Sequence, residues 1–487
     1  MKNKLFIGVL IGIVLIVVGI VGLSSNLGRE RDISNTPNTP QVPSIPSNED
    51  IVIKISEKEL PIPALLEDKN PDPNISDFYI VAQEGTTSFI DGIQTPTMGY
   101  NGSFLGPVVK VKTGDEVNMH ITNELSDSTS VHWHGLEVEG SKDGGPHQVI
   151  DIGDTWEPSF PIQQGASTLW FHPHVMGTTA TQVYWGLAGL IIVEDENSQS
   201  LNLPDEYGIN DIPLIIQDRS FQQDGSFLYY DNMMNGAFGD HIMVNGAITP
   251  FLEVEQRKIR FRILNGANAS NFDISLSDSS DFHQIATDGG FLESPVNLQS
   301  LFISPGERAE IIIDFSNYTQ GDIVELRSYD DLVMTFKIGD TVVDNTVIPD
   351  ELATIKWFDE SEATDTKTIV LDGMGHMVSI NGKKFDMHRM DDTVKMGDIQ
   401  IWEVSSRGSM MIGNGHPFHI HGTQFQVLSR DGREIPPNEK GWKDTFFVGP
   451  NESVKIIVQF NHKGVFMYHC HILEHEEAGM MGQLEVL

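Results

Sequence analysis

The sequence predicts an all-β chain of about three packed domains behind an apolar leader, and three observations predict it. Short segments rich in Val, Ile, Phe and Thr recur at regular spacing, with Gly, Asn, Asp and Pro between them. That pattern marks β-sandwiches or barrels, and no long helical period competes with it beyond the leader. The chain has 487 residues and 39% hydrophobic content, ample for several cores; a domain holds roughly 150 residues. The first and last thirds also repeat one another, which implies a duplicated unit.

The leader comes first. Lys2 and Lys4 precede an uncharged apolar run, 5–23, long enough to cross a hydrocarbon core of about 30 Å. No small-residue cleavage pattern follows it, so an uncleaved anchor is favoured over a removed signal peptide. The two lysines place the N-terminus in the cytoplasm. The body is then exported, held at the outer side of the membrane, or free outside it if the leader is cleaved. Residues 24–50 are rich in Ser, Asn and Pro, a composition that buries no core and reads as a tether. Domains are expected at 51–200, 201–348 and 349–487. Strand-like runs fall in each: 104–112 and 187–193 in the first, 258–264 and 308–314 in the second, 453–460 in the third.

Charge narrows the partners. The formal net charge is −38, which argues against nucleic acid, whose binding depends on Lys and Arg neutralising phosphates. Such a surface favours solvation and attracts cations. With a single cysteine, Cys470, disulfides within the chain are impossible, and an odd thiol in an exported protein needs another explanation.

Ligand duty provides one. Cys470 lies between His469 and His471, with His475 and Met480 just beyond. A thiolate, imidazoles and a weak thioether suit a blue-copper electron-transfer site. Internal comparison supplies the second histidine. His132-Trp-His-Gly matches His419-Ile-His-Gly, and Trp170-Phe-His-Pro-His matches Met467-Tyr-His-Cys-His. Where the last domain has His416, Cys470 and His475, the first has Thr129, Pro173 and Thr178. The last domain alone therefore holds the single-copper set His416, Cys470, His475 and Met480.

Four His-x-His pairs remain: His132/His134, His172/His174, His419/His421 and His469/His471. Residues i and i+2 of a strand share a face about 6.5–7 Å apart, so each pair presents two imidazoles together. Eight imidazoles suit three ions with two, three and three ligands. Alternation turns Cys470 to one face of its strand and its neighbours to the other, which joins the two metal sites by a few covalent bonds. The other seven histidines, His120, His147, His241, His283, His376, His388 and His462, read as ordinary core or surface residues. A zinc enzyme needs fewer ligands and no axial Met.

At these residues the chain resembles the three-domain multicopper oxidases, the group of laccases and bacterial copper efflux oxidases. The motifs are His132-Trp-His-Gly, His172-Pro-His, His416-Pro-Phe-His-Ile-His and the run from His469 to Met480; Val244-Asn-Gly and Asp288-Gly-Gly extend the likeness into the middle domain. The resemblance implies three cupredoxin-like Greek-key β-sandwiches with a trinuclear cluster between the first and third. It implies four copper ions: type 1 on His416, Cys470, His475 and Met480; type 2 on His132 and His419; a type 3 pair on His134, His172, His174, His421, His469 and His471. Asp143 and Glu476 match acids near the cluster, where O2 reduction consumes protons, and Cys470, His469 and His471 would carry the electrons.

The implied reaction couples four one-electron oxidations to the reduction of O2 to two waters. A phenolic or aromatic reductant, laccase-like, is the first expectation, because it needs only a shallow site by the imidazole edges of His416 or His475. A cuprous or ferrous ion is the second. The efflux oxidases' long Met- and His-rich insertion is missing here, but Met374, Met377, Met387, Met390, Met410 and Met411 remain, and thioethers select Cu(I). A non-catalytic copper-binding envelope protein on the same fold is the remote alternative, which the intact ligand set disfavours.

Overall fold

The computed structural model describes residues 55–230, 235–407 and 415–487. The apolar run 5–23, the tether 24–50, and Met410 and Met411 lie outside the described residues. Among the described residues no helix is long and apolar enough to cross a membrane.

The described chain from 55 onward belongs to one compact unit built from six sheets in three pairs. In the first pair, the sheet Thr95–Tyr100, Ile75–Thr87, Glu116–Asn123 and Thr155–Trp156 faces the sheet Val108–Lys112, Gly189–Glu194, Ser167–His172 and His132–His134. Ile75–Thr87 runs parallel to Glu116–Asn123, and Val108–Lys112 parallel to Gly189–Glu194. A parallel partner far along the chain cannot be joined by a hairpin, so the chain must cross between sheets, as in a Greek key. Alternate residues Phe78, Ile80 and Ala82 point into the shared core with Val117, Met119 and Ile121, the period of two that a half-buried strand requires.

The middle pair has seven and five strands around a core that includes Phe261, Ile263, Ile311 and Phe336. The last pair has six and five strands around Trp402, Phe418, Ile456 and Leu484. This is the cupredoxin-like all-β fold expected from the strand pattern. Helices are short: Thr179–Trp185, Glu196–Ser200 and Leu473–Glu477 are its α-helices among the described residues. Between the first and middle pairs, Arg262 forms a bidentate contact with Asp211 and reaches Thr168 and Glu310. Burying these charges is tolerable because each carboxylate is matched by a guanidinium.

Two strands of the last pair set up the site. Gly464–Cys470 lies beside His416–Ile420, with Phe418 opposite Cys470 and His419 opposite His469. Phe466, Tyr468 and Cys470 belong to the hydrophobic core, whereas His469 turns to the other face. The first pair repeats the register, with His132 opposite His172.

Candidate metal centre

Each His-x-His pair holds its imidazoles side by side, with ring centroids 5.6 Å apart for His132/His134, 6.0 Å for His172/His174, 4.9 Å for His419/His421 and 5.7 Å for His469/His471. All eight rings are buried. The structure brings them together from both ends of the chain. Nitrogens of His134, His172 and His471 converge, as do those of His174, His421 and His469, and His132 meets His419 and His134.

The partners of each ring decide which nitrogen is left over. His132 Nδ1 donates to the Asp143 carbonyl (3.0 Å) and His419 Nδ1 to the Asp444 carbonyl (2.9 Å), so their Nε2 lone pairs face one another at 3.4 Å. His172 Nδ1 donates to the Pro173 carbonyl and His469 Nδ1 to that of Cys470. His421 Nδ1 donates to Asp143 Oδ2 at 2.7 Å. The His469 Nε2 atom then lies 3.0 Å from His421 Nε2 and 3.1 Å from His174 Nε2. Fixing one nitrogen by a hydrogen bond frees the other as a ligand.

Burial, helped by the neighbouring imidazoles, holds His134, His172, His174, His419, His421 and His469 well below the ordinary histidine range. It takes His471 to about 3. Neutral rings that aim lone pairs at one another in a dry space repel unless a cation sits between them. A borderline-soft ion such as copper fits this donor set.

His134 is the exception in the set. Its Nε2 lies 3.1 Å from both Asp444 Oδ1 and Thr445 Oγ1, and its Nδ1 is buried without a hydrogen-bond partner. Its contribution to a metal is therefore through Nδ1.

A second donor set lies behind the Cys470 strand. His416 Nδ1 is 3.4 Å and His475 Nδ1 3.8 Å from Cys470 Sγ, and the Ile472 N–H donates to the sulfur at 3.4 Å. Burial pushes the Cys470 thiol up and brings His416 to about 3. A bound metal reverses the thiol preference, since a coordinating thiol is deprotonated outright. Met480 is buried in the same core, and its main chain pairs with Cys470 and His475. The imidazole edges of both histidines are more enclosed than the sequence suggests: His416 is 6% and His475 3% exposed.

The two acids expected near the cluster are there. Besides accepting from His421, Asp143 keeps Oδ1 buried without a partner. Glu476 places its oxygens 3.4 Å from His174 Nδ1 and 3.3 Å from His469 Nδ1. Burial, reinforced by Glu477 and Glu474, raises the Glu476 carboxyl well above the usual range. Of the methionines, Met377 is 80% and Met390 39% exposed, and the turn Gly375–Met377 packs against the helix Leu473–Glu477 that carries His475.

Several contributors were not foreseen. Asp444 and Thr445 hold His134 and His419, and Arg308 of the middle pair of sheets holds Asp444. Gly306 lies against the ring of His471: a Cβ there would come within 2.9 Å of it, and its φ is +86°. Glu474 accepts from Asn268 and Tyr229, while Glu477 accepts from the Ala180 N–H. The one sequence signal for Arg308 is a charge opening a strand whose centre is the apolar run Ile311-Ile-Ile313.

Comparison with known proteins comes to the same place as the geometry. Three family models, each described as Multicopper oxidase, match residues 81–198, 197–323 and 356–487. The chain is similar to Multicopper oxidase mco of Staphylococcus aureus, 41% identical over 430 residues, 88% of this chain and 93% of that one. Cell division protein FtsP of Escherichia coli (strain K12) is 33% identical over 449 residues, again 88% and 93% of the two chains. Among solved structures, laccase from Pediococcus acidilactici superposes with a TM-score of 0.86 at 41% identity, covering 89% of this chain and 95% of that one.

Proposed function

Because the chain belongs to the multicopper oxidase family and is a copper-dependent oxidoreductase, we propose that it couples four one-electron oxidations of a phenolic or aromatic reductant to the reduction of O2 to two waters. The observation that carries this reading is the completeness of the donor sets. His416, Cys470 and His475 meet on one face of a strand whose His469 joins the buried imidazoles on the other. Similarity alone would not carry it, since a relative of comparable coverage is named for cell division.

In this reading His416, Cys470, His475 and Met480 hold one copper, His132 and His419 a second, and the six remaining histidines a pair. Copper bound there supplies one-electron redox chemistry and the site at which O2 is reduced. The chain's own residues do the rest. Cys470 shares one short length of main chain with His469 and His471, so the reductant side and the oxygen side are covalently connected. Burial keeps water away from the imidazoles and disfavours the charged form of His134, His172, His174, His419, His421, His469 and His471. Glu476, whose carboxyl is raised well above the usual carboxylate range by burial, stands where it can hold a proton beside His174 and His469. Asp143 offers its unpartnered Oδ1 as a second place to carry one. Reducing O2 to water takes up four protons, and positioned acids are the means of delivering them.

A metal-ion reductant, cuprous or ferrous, is the second reading, and the exposed Met377 thioether on a turn packed against the His475 helix favours it. The proposed location is outside the cytoplasmic membrane, by way of the apolar run 5–23; protease accessibility in intact cells tests that.

The decisive experiment compares the copper-loaded wild type with Cys470→Ser. The variant should lose its blue absorption and its oxidation of both reductants while keeping cluster copper. Oxidation at the wild-type rate by Cys470→Ser would sink the reading. Turnover of Cu(I) and of a phenol by a Met374→Leu, Met377→Leu variant then separates the reductants: a selective loss of Cu(I) oxidation favours the metal ion.

A further inference from the structure

We propose that Arg308, from the middle pair of sheets that contributes no histidine pair, is a positioning residue for the cluster: it fixes which nitrogen of His134 faces the metal and ties the first and last domains together around it. The inference rests on reading the eight imidazoles as the copper site.

Arg308 opens the strand Arg308–Asp314 just after the turn at Gly306, and it is fully buried. Its donors are spent on all three parts of the chain. Nε donates to the carbonyl of Thr168 (3.1 Å), in the strand that ends at His172. Nη1 donates to the carbonyl of Gly306 (2.9 Å) and to Asp444 Oδ1 (2.7 Å). Nη2 reaches the second oxygen of Asp444 and the carbonyl of Asp288 (3.3 Å). The planar fork thus pins both oxygens of Asp444, a geometry that an ammonium cannot reproduce.

Pinned in this way, Asp444 dictates the state of His134. A carboxylate only accepts hydrogen bonds, so His134 must present Nε2–H to Oδ1 at 3.1 Å, and its lone pair is left on Nδ1. His132, His172, His419, His421 and His469 do the reverse, spending Nδ1 on an acceptor and leaving Nε2. Asp444 also holds His419, through its main-chain carbonyl and through Thr445 Oγ1, which donates to Asp444 Oδ1 and meets His419 Nδ1 at 3.2 Å. One arginine therefore reaches ligands on both sides of the cluster.

The glycines around the pair show how closely it is accommodated. A Cβ at Gly135, the residue after His134, would lie 2.6 Å from Asp444 Oδ2 and 2.7 Å from Arg308 Nη2. The fourth residue of the His-x-His-Gly motif makes room for this ion pair. Without the fork, the Asp444 carboxylate is free to turn toward Gln424, which already donates to Oδ2 at 3.2 Å. His134 then loses the contact that orients it.

The test uses the full chain, copper-loaded, as wild type, Arg308→Gln, Arg308→Lys and Asp444→Asn. Copper per chain, the blue absorption of the Cys470 site, the EPR signal of the cluster and O2 consumption are read on each. The blue absorption should survive in the variants, showing that the fold and the Cys470 site are intact. Cluster copper affinity or activity should fall about 10–100-fold, the usual cost of losing a group that orients a metal ligand, with a shifted cluster EPR signal. Arg308→Lys should not rescue it, and Asp444→Asn should reproduce it. Full cluster copper and an unshifted signal in Arg308→Gln overturn the proposal. If the arginine variants do not fold, Asp444→Asn decides: an unchanged cluster signal overturns it and a shifted one upholds it. A wild type that binds no cluster copper overturns the copper reading instead.

Discussion

Glu137 makes a pH-dependent contribution to stability that Glu137→Gln should remove. It lies three residues after His134, on the wall of a cavity of about 250 Å³ that also touches Gln164, Gly289, Lys356, Gln424 and Trp442. Burial raises its carboxyl from 4.5 to about 7, against the opposing donation of the Gln424 main-chain N–H. The folded chain therefore holds a proton that the unfolded chain has released between those values. The resulting stability is fully present below about 4.5 and is lost as the pH rises through 7. Over the whole window the shift corresponds to about 3.4 kcal/mol, at 1.36 kcal/mol per unit. The side chain is partly open to the cavity, and solvent screening brings the expected figure nearer about 2 kcal/mol. Glutamine keeps the shape and the acceptor for Gln424 but cannot ionise. Scanning calorimetry of copper-loaded wild type and variant at pH 5 and pH 8 reads the effect. The wild type should lose more melting temperature over this interval than the variant, by roughly 2–4 °C. Other ionisations cancel in the difference. Parallel pH curves for the two proteins would refute the reasoning, because they would mean that Glu137 ionises in the usual carboxylate range.

Three further perturbations have defined outcomes. Glu476→Gln and Asp143→Asn should each slow O2 consumption by about 10²-fold without changing anaerobic bleaching of the blue colour; slowed bleaching would place the defect on the reductant side instead. Gly135→Ala forces a side chain into a φ of +94° and against the Asp444–Arg308 pair, costing about 1–2 kcal/mol from the backbone alone. Metal analysis should find less cluster copper in it than in the wild type at an unchanged blue absorption. Glu477→Ala removes the carboxylate that accepts the Ala180 N–H at 2.8 Å. A buried donor left unsatisfied costs about 1–3 kcal/mol, so the melting temperature should drop while copper per chain holds; no drop would mean that water replaces the carboxylate.

The clustering of the histidines and Cys470 was legible because metal-ligand chemistry constrains residue type and spacing together. A lone pair of imidazoles at i and i+2 is a weak signal, but here four pairs recur in register. The strand alternation that puts Cys470 in the hydrophobic core and His469 on the opposite face follows from a period of two, and the pairing of Phe418 with Cys470 realises it. The motifs that self-comparison matched also share a register, with His132 opposite His172 as His419 is opposite His469.

The groups that orient the ligands obey no such spacing rule, which is why Arg308, Asp444, Thr445 and Gly306 were not foreseen. They act across contacts between segments more than a hundred residues apart, such as Arg308 to Asp444 and Asp444 to His134. The physical cue for them is of another kind. A charge set in an apolar strand is too costly to bury alone, so Arg260, Arg262, Arg308 and Glu310 each imply a partner. Arg260 and Arg262 find Glu310 and Asp211 on neighbouring strands of their own sheet, and Arg262 reaches on to Thr168 of the first pair. Arg308 finds Asp444, and through it the cluster. The middle domain, bare of histidine pairs, is thus where inward charges gather. Its part in the site follows from where those charges must go: it lends the first and last domains a fixed counter-ion, so that their histidines meet in one geometry.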